Sequence, residues 1–111
     1  MSERVFIVSD RIGGANPELG AILMKNFIYS LARAEQPPKG INLMNAGVRL
    51  ACEGSRSLDD LALLAEKGVR IGVCGTCLDY LGLTEQRAVG AVGVMPDAVA
   101  ALLADDTLTI A

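Results

Sequence analysis

Short apolar runs alternate along this chain with longer segments of helical spacing, and this alternation constrains the fold more than any other feature. Strands are predicted at Arg4–Ser9, Ile41–Asn45, Val69–Val73 or Cys74, Gly90–Met95 and Thr107–Ile110. Runs of this kind separated by helices are typical of βαβ units, which build a parallel sheet covered by helices. A chain of 111 residues is also close to the commonest domain size. The sequence therefore predicts an α/β fold in a single domain over residues 1–111.

The first predicted helix carries more apolar surface than one buried stripe needs. Asn16 is predicted as its N-cap and Pro17 as its first residue. One apolar stripe at helical spacing contains Leu19, Ile22, Leu23, Phe27 and Leu31. Further apolar residues widen this surface, namely Met24, Ile28 and Tyr29. We therefore expect a homo-oligomer whose subunit contact buries the extra surface, with Phe27, Ile28 and Tyr29 included.

Composition narrows the chemistry that such a domain can perform. The chain has 10 Lys and Arg against 13 Asp and Glu, a formal charge of −3, two Tyr, two Phe, no Trp and no His. Without histidine there is no Ser-His-Asp triad, no Cys-His pair and no histidine zinc site, and three cysteines are too few for a Cys₄ site. A mildly acidic chain with so few rings also lacks the surface that nucleic-acid binding needs. We therefore expect no metal, no cofactor and no nucleic-acid partner, and cysteine is the nucleophile that remains.

The sequence carries no sign of export or membrane insertion. Its first residues lead straight into a strand pattern, without the apolar region of a signal peptide. No stretch approaches the ~18 uninterrupted apolar residues that a membrane span requires. We therefore expect a cytoplasmic protein with no membrane partner, in which Cys52, Cys74 and Cys77 are thiols rather than a disulfide framework.

Two of these cysteines, Cys74 and Cys77, are spaced C-x-x-C where a predicted parallel strand passes into a helix. Ligands bind open α/β sheets at the carboxyl ends of the strands, so this is the expected functional edge. A thiol near a helix N-terminus faces unpaired N–H groups that favour its thiolate, and Gly75 lets backbone amides approach the sulfur. Three cations are candidate helpers: Arg11, Arg49 and Lys67. The alternative interpretation is a pair of small residues buried in the core.

Other predicted strand ends point to the same edge of the sheet. With the motif's own Gly75 and Thr76, they give the ligand-binding candidates Ser9, Asp10, Gly13, Asn45, Gly47, Gly75 and Thr76. The functional interpretation is a pocket whose wall combines amide donors with the side chains of Asn45 and Ser9, and the alternative is ordinary turn formation. Cys52 is a candidate accessory thiol if the loop after the second strand brings it near Cys74. Its position outside the motif favours a structural role.

Segments in order along nearly the whole chain carry a family resemblance. They are Ile7-Val8-Ser9-Asp10, Glu18-Leu19-Gly20, Met44-Asn45-Ala46-Gly47-Val48, Glu53-Gly54-Ser55, Leu58-Asp59-Asp60-Leu61, Cys74-Gly75-Thr76-Cys77-Leu78-Asp79-Tyr80 and Ala88-Val89-Gly90. In these segments the chain resembles the DsrE/DsrF-like family, and more closely the C-terminal domain of YedF-type sulfurtransferase-like selenium metabolism proteins. The resemblance implies a three-layer α/β/α sandwich, a five-stranded parallel sheet in the order 4-3-2-1-5, and assembly as trimers or hexamers.

The resemblance also implies a reaction. Some members of the family relay sulfur as a cysteine persulfide at the end of the third strand, a position that falls on Cys74 or Cys77. We favour Cys74 by analogy with C-x-x-C chemistry, where the first thiol is usually the reactive one. The leading hypothesis is therefore a sulfur-relay protein, possible also in selenium metabolism, that exchanges sulfane sulfur with donor and acceptor thiol carriers.

Two other functions stay open at this point. One is a non-catalytic subunit that binds a small ligand or a partner and has structural cysteines. The other is dithiol redox activity, which ranks last because thioredoxin-type folds have antiparallel strands late in the chain, whereas this pattern is parallel throughout.

Overall fold

The computed structural model describes residues 3–111. Within them lie five strands, four α-helices and two short 3₁₀ segments. In chain order these are β1 (Arg4–Ile7), α1 (Pro17–Ala32), β2 (Gly40–Leu43), a 3₁₀ segment (Asn45–Ala51), α2 (Leu58–Glu66), β3 (Arg70–Cys74), α3 (Gly75–Leu81), a 3₁₀ segment (Thr84–Gln86), β4 (Ala91–Gly93), α4 (Met95–Ala104) and β5 (Thr107–Ile110). None of the helices in this part of the chain is both long and apolar enough to span a membrane.

The five strands form one parallel sheet in the order β4-β3-β2-β1-β5. β1 is flanked on both sides, because Arg4 pairs with Gly40 of β2 and with Thr107 of β5. The parallel α/β architecture predicted from the sequence is confirmed, and so is the strand order that the family resemblance implies. Parallel strands end at one edge of a sheet, so the segments that follow them start from the same edge.

One face of the sheet, called the core face below, packs against three helices. Its strand side chains are almost fully buried: Val5, Ile7, Ile41, Leu43, Ile71 and Val73. They form a single hydrophobic cluster with residues of α1, α2, α3 and the first 3₁₀ segment. Leu61, Leu64 and Leu78 complete this cluster from α2 and α3 and have no exposed surface. Most of the hydrophobic stabilisation therefore lies on this side of the sheet.

The opposite face, called the open face, carries small and polar side chains. Because side chains alternate along a strand, Arg4, Asn42, Gly72 and Cys74 all point to this face. The Arg4 guanidinium is buried, donates from Nη1 to Asn42 Oδ1 over 2.9 Å and pairs with Asp105 at 2.8 Å. α4 borders the same clefts as Asn42 and Gly72, yet none of its residues is buried. The expected three layers are present, and the second helical layer is a single, loosely covering helix.

The buried stripe of α1 differs from the predicted one. The predicted stripe members Leu19, Ile22 and Leu23 are 50%, 45% and 41% exposed. The buried positions are instead Gly20, Met24, Ile28 and Ala32. Gly20 accounts for this orientation, because a Cβ there would lie only 2.9 Å from the Ile12 carbonyl oxygen, so the helix can approach the preceding loop closely on that side. The Asn16 cap is as predicted: its Oδ1 accepts a hydrogen bond from the Leu19 N–H over 3.0 Å.

The predicted role of Ile28 in a subunit contact is wrong, because Ile28 has no exposed surface and belongs to the core. Tyr29 remains 48% exposed, and the Arg33 guanidinium lies 3.6 Å from its ring centroid. Most of the large exposed apolar side chains therefore lie in two places. Four are on α1, namely Leu19, Ile22, Leu23 and Tyr29, and five are on β4, α4 and the link between them, namely Val92, Val94, Met95, Val99 and Leu103.

β5 has the predicted bounds and β3 differs by one residue at its start, whereas β1, β2 and β4 are shorter than predicted, and backbone geometry explains two of these differences. β2 stops before Asn45, which has φ of 51°, and β4 starts after Gly90, which has φ of 80°. Extended strands need a negative φ, so neither residue can continue its ladder. β1 ends at Ile7 rather than Ser9, and Met95 begins α4 rather than ending β4.

Two carboxylates, Asp60 and Asp105, form ion pairs that connect helices to neighbouring elements. Asp60 of α2 pairs with Lys25 of α1 at 3.2 Å and with Arg33 at the end of α1 at 3.0 Å. Burial alone would raise the pKa of Asp60, but hydrogen bonds from these two cations hold it below its usual range. On the other side of the sheet, the hydrogen bond from Arg4 holds the pKa of Asp105 below its usual range.

Candidate thiol site

Cys74 stands at the junction between β3 and α3. It is the last residue of the strand and the N-cap residue of the helix, with φ of −61° and ψ of 118°. Its side chain is partly exposed on the open face, two positions after Gly72. The next residue, Gly75, makes the junction tight, since a Cβ there would lie 3.0 Å from Val92 Cγ1 of β4. The strand thereby brings the Cys74 sulfur to the carboxyl edge of the sheet.

Cys77 lies one turn into α3, and the backbone of Asn45 holds its sulfur. The Asn45 N–H donates to Cys77 Sγ over 3.1 Å, from a residue in the left-handed conformation. Burial raises the pKa of the Cys77 thiol above its ordinary value of 9.0, and the hydrogen bond with Cys74 raises it further, while the Asn45 N–H acts in the opposite direction. Cys77 therefore keeps its proton at neutral pH and can donate it toward Cys74.

The two sulfurs open into different clefts. The Cys74 cleft has a volume of about 130 Å³ and lies between the sheet and the start of α4. Its wall is mainly apolar and includes Leu43, Met44, Val94 and Met95. The Cys77 cleft has a volume of about 260 Å³ and is lined by Asn45, Thr76, Cys77, Tyr80 and Leu81. Because no residue borders both clefts, a molecule in one does not occupy the other.

A wider groove on the open face adjoins the Cys74 cleft. This sheet groove has a volume of about 540 Å³ and includes Arg4 and Arg70 at the amino ends of β1 and β3. It shares four lining residues with the Cys74 cleft, namely Asn42, Gly72, Gly93 and Asp97. Cys74 therefore lies at the carboxyl end of a path that follows the strands across the open face.

Asp97, in the first turn of α4, is the one charged residue that lines either thiol cleft within residues 3–111. The predicted cationic helpers do not line either thiol cleft. Arg49 borders a separate cleft, and the Lys67 ammonium donates to a backbone carbonyl of α1. Arg11 borders neither thiol cleft. In the part of the chain that the structure describes, no group of three or more His, Cys, Asp or Glu side chains could hold a metal ion.

Of the predicted ligand-binding residues, the structure brings Asn45, Gly75 and Thr76 to the thiol pair. Asn45 binds the Cys77 sulfur through its backbone, while its own Oδ1 accepts a hydrogen bond from the Ala46 N–H over 2.8 Å. Gly75 shapes the strand-to-helix junction, and Thr76 lines the Cys77 cleft. The site therefore consists of the end of β3, the first residues of α3, and Asn45, which lies two residues after the end of β2.

The other predicted ligand-binding residues lie apart from the thiols. Ser9 Oγ accepts a hydrogen bond from the Arg11 N–H over 3.1 Å, which is turn geometry, and the Gly13 N–H donates to the carboxyl-terminal Ala111 carbonyl over 3.1 Å. Asp10 borders a separate cleft of about 330 Å³. The predicted pocket wall made jointly by Ser9 and Asn45 is therefore not formed.

Gly47 serves packing rather than the thiol clefts. A Cβ at this position would lie 2.4 Å from the Ile7 carbonyl oxygen, so only glycine lets the first 3₁₀ segment cross the end of β1 this closely. This contact positions the segment that begins at Asn45, and through it the N–H that binds Cys77.

Cys52 is separated from the other two thiols by the core. It is 3% exposed, belongs to the hydrophobic cluster, and its Sγ donates to the Val48 carbonyl oxygen over 3.2 Å. Its backbone forms an isolated antiparallel bridge with Arg87. Burial raises the pKa of the Cys52 thiol, against the opposing charges of Arg49 and Arg87. It borders neither thiol cleft, in agreement with the structural interpretation of this residue.

Sequence reasoning missed Met44, Met95 and Asp97, which border the Cys74 sulfur's cleft. Each of them follows the end of β2 or β4 closely in the sequence. The strand-end rule that selected residues after β1 and β2 would have found Met95 and Asp97 if it had also been applied to the fourth strand.

Solved structures with the same fold come from bacteria and an archaeon. The YchN protein from E. coli matches with a TM-score of 0.71 at 20% identity, over 99% of this chain and 100% of that one. MTH1491 from Methanobacterium thermoautotrophicum, a protein of unknown function, matches with a TM-score of 0.63 at 18% identity, over 96% of both chains. BT1422 from Bacteroides thetaiotaomicron, also of unknown function, gives 0.61 at 14% identity, over 97% and 95%. At these identities the likeness establishes the fold.

Sequence comparison supplies the family. No curated protein sequence matches this chain. A family model does match, over residues 27–108, which include β2, β3, both thiols of the C-x-x-C motif and α4. The parallel sheet order, the strand-to-helix junction that carries Cys74 and this match agree with one another. The chain belongs to the DsrE/DsrF-like family.

Proposed function

We propose that this protein carries sulfane sulfur on Cys74 and passes it to the thiol of a partner protein. The observation that supports this most directly is the position of the Cys74 sulfur, which ends β3 and opens into an apolar cleft of about 130 Å³. In the transfer, the Cys74 thiolate attacks the outer sulfur of a donor persulfide. A new sulfur–sulfur bond forms at Cys74, and the donor leaves as its thiol.

Cys74 is a better carrier than Cys77 for two reasons. Burial raises the pKa of Cys77, and so does its hydrogen bond with Cys74, which makes Cys77 the thiol that retains its proton. Cys74 is also the member of the pair whose cleft adjoins the sheet groove, with which it shares four lining residues.

The Cys74 cleft suits a bound persulfide in size and polarity. A cavity of roughly 10–15 Å³ already accommodates one water molecule, so about 130 Å³ leaves ample room for one additional sulfur atom. Met44, Val94 and Met95 present apolar or thioether surface to it. Such surroundings limit the access of water and of competing thiols to the outer sulfur.

A carrier of this kind needs donor and acceptor thiols, and we propose thiol-carrier proteins of the cytoplasm as both. The open approach along the sheet groove supports a macromolecular partner, since the groove leads to Cys74 from outside. A role with selenium in place of sulfur stays a prediction from the family resemblance.

Assembly into a homo-oligomer, as a trimer or hexamer, is part of this proposal. This part of the proposal is supported by five exposed apolar side chains on β4, α4 and the link between them: Val92, Val94, Met95, Val99 and Leu103. Light scattering at low micromolar concentration tests this, and a monomeric mass contradicts it.

The carrier role is tested with variants that keep one thiol each. The Cys52→Ser/Cys77→Ser protein retains Cys74 alone, and the matched Cys52→Ser/Cys74→Ser protein retains Cys77 alone. After incubation with an inorganic polysulfide and removal of the excess, intact-mass spectrometry should show one added sulfur atom on the first variant. The second should show little or none at neutral pH.

The opposite result selects the binding interpretation. If the folded variant that retains Cys74 gains no sulfur, and its alkylation follows an ordinary cysteine titration near pH 8.5, the cysteines are structural and the clefts bind a ligand or partner without group transfer.

A further inference from the structure

The C-x-x-C pair is arranged so that its two sulfurs can be joined. Cys74 caps α3 and Cys77 follows three residues later, a spacing that puts Cα atoms about 5 Å apart in helical geometry. Disulfides need a Cα separation of about 4.4–6.8 Å, which this spacing satisfies. The Cys74 side chain is also among the groups that raise the pKa of Cys77, so the two thiols influence each other.

The positions of the two clefts distinguish the roles of the two cysteines. The Cys74 sulfur borders one cleft and the Cys77 sulfur borders another, and the two clefts share no lining residue. A sulfur atom carried on Cys74 and held in the Cys74 cleft would therefore occupy space that Cys77 does not border. Displacement at sulfur proceeds with the attacking and leaving groups on opposite sides, and a leaving sulfur in a cleft separate from that of Cys77 is compatible with this requirement.

We propose that Cys77 discharges a persulfide on Cys74 by internal displacement, which releases hydrosulfide and leaves a Cys74–Cys77 disulfide. This step rests on the proposed function, because it requires a persulfide on Cys74, and it adds an activity to it: the conversion of sulfane sulfur to sulfide. Cys77 acts as the resolving thiol.

The step balances within the site. The Cys77 thiolate attacks the inner sulfur, Cys74 Sγ, so that a Cys77–Cys74 sulfur–sulfur bond forms while the bond from Cys74 to the outer sulfur breaks. The electron pair of the broken bond leaves with the outer sulfur as hydrosulfide, and the proton lost by Cys77 passes to solvent or to hydrosulfide. The outer sulfur is reduced to sulfide and the Cys77 thiol is oxidised, so that loading and discharge together convert two thiols to a disulfide. An external thiol reductant, such as a dithiol, then restores both cysteines.

Asn45 gives Cys77 a feature suited to this role. Its N–H donates to Cys77 Sγ over 3.1 Å and so stabilises the thiolate that must form before attack. Because burial keeps the Cys77 thiol protonated at neutral pH, discharge should be slow there and should accelerate as the pH rises. A loaded chain thus has time to meet an acceptor before it releases sulfide.

The test compares three full-length proteins after reduction: the wild type, Cys77→Ser and Cys52→Ser. Each is loaded briefly with a limiting amount of inorganic polysulfide and desalted. Free sulfide and intact mass are then followed with time at several pH values. The wild type and Cys52→Ser should release close to one sulfide per loaded chain and end two hydrogen atoms lighter than the reduced protein. Cys77→Ser should keep the added sulfur atom, and its sulfide release should be at least tenfold slower. A Cys77→Ala variant repeats the measurement without a hydroxyl at this position.

The outcomes separate this inference from the proposed function. If the wild type retains its added sulfur as long as Cys77→Ser does, or if both release sulfide equally fast, Cys77 does not resolve the persulfide, while the carrier role stands. If no variant that contains Cys74 gains sulfur, the carrier role fails and this inference fails with it.

Discussion

The two faces of the sheet differ in what their side chains contribute. The core face has six strand residues of at most 5% exposure, packed against α1, α2 and α3. The open face has two arginines, an asparagine, Phe6, glycines and Cys74, and one helix without a buried residue covers it. Stability therefore depends mainly on one side of the sheet, and the other side leaves clefts open beside Cys74. The difference shows that the cysteine proposed as the sulfur carrier lies on the face that contributes less to folding.

Thiol labelling should show the largest difference between the faces. In the native protein at neutral pH, iodoacetamide should modify Cys74 readily and leave Cys52 untouched, because Cys52 is 3% exposed within the core. If only global unfolding exposes it, the protection amounts to about 5 kcal/mol or more, roughly a thousandfold or more in rate. Peptide mapping after timed labelling, with a urea-unfolded sample as the control, measures this. Equal labelling of both thiols in the native state would contradict the separation of the two faces.

The same substitution on the two helical layers should have very different effects on stability. Leu64→Ala removes a fully buried side chain of α2 and should lower the free energy of unfolding by about 2–5 kcal/mol. Leu103→Ala removes a side chain of α4 that is 82% exposed within one subunit and, at concentrations where the protein is monomeric, should change it by no more than about 0.5 kcal/mol. Urea denaturation of both variants gives the comparison. A loss at Leu103 as large as that at Leu64 would mean that α4 is a full structural layer.

The two carboxylates that fasten these layers should make stability depend on acid. The folded-state pKa values of Asp60 and Asp105 are both lowered, so each carboxylate contributes stability that is present above its unfolded pKa, about 3.9, and is lost as the pH falls through the folded value. Asp60→Asn and Asp105→Asn should therefore lower Tm at pH 7, and the difference from the wild type should shrink below about pH 4. Thermal melts between pH 3 and 7 measure this, and a Tm difference that stays constant would refute the pairing argument.

The smallest effect should be a charge preference at the Cys74 cleft. Because Asp97 lines this cleft, it should disfavour anionic reagents, with roughly 1 kcal/mol for two unit charges about 4 Å apart in water, less any screening by salt. Asp97→Asn should raise the rate of Cys74 carboxymethylation by iodoacetate up to about fivefold relative to iodoacetamide, and Asp59→Asn on α2 serves as the matched control. An unchanged rate ratio would show that the carboxylate does not influence the approach to Cys74.

Much of the architecture could be predicted because it depends on local pattern. The alternation of apolar runs and helical segments was sufficient to predict the parallel sheet, and the turn residues were sufficient to predict most helix boundaries. The stripe of α1 could not be predicted, because Leu19 and Met24 are equally apolar and only the close approach at Gly20 decides which of them is buried. The path of the chain after β2 also escaped prediction, since the left-handed backbone at Asn45 has no signal in an extended apolar run.

At the thiol site, sequence reasoning reached the pair and its junction but not its surroundings. The C-x-x-C spacing and the strand-end rule were sufficient to predict Cys74, Gly75 and Cys77 as site residues. The separation of their clefts could not be inferred, because it depends on which face of the sheet each sulfur meets and on where α4 starts. The hydrogen bond from Asn45 to Cys77 joins residues far apart in sequence and likewise needs the folded chain.

The pairing of β1 with β5 has a kinetic consequence. β1 lies inside the sheet, yet one of its two partners comes from the opposite end of the described residues. Contacts of such high contact order close a long loop and form slowly, so β5 should dock late during refolding. Until it does, the backbone donors and acceptors along that side of β1 are unpaired and available to another chain. Refolding yield should therefore fall as protein concentration rises, and the rate-limiting species should lack protection from hydrogen exchange in the strand pair β1 and β5.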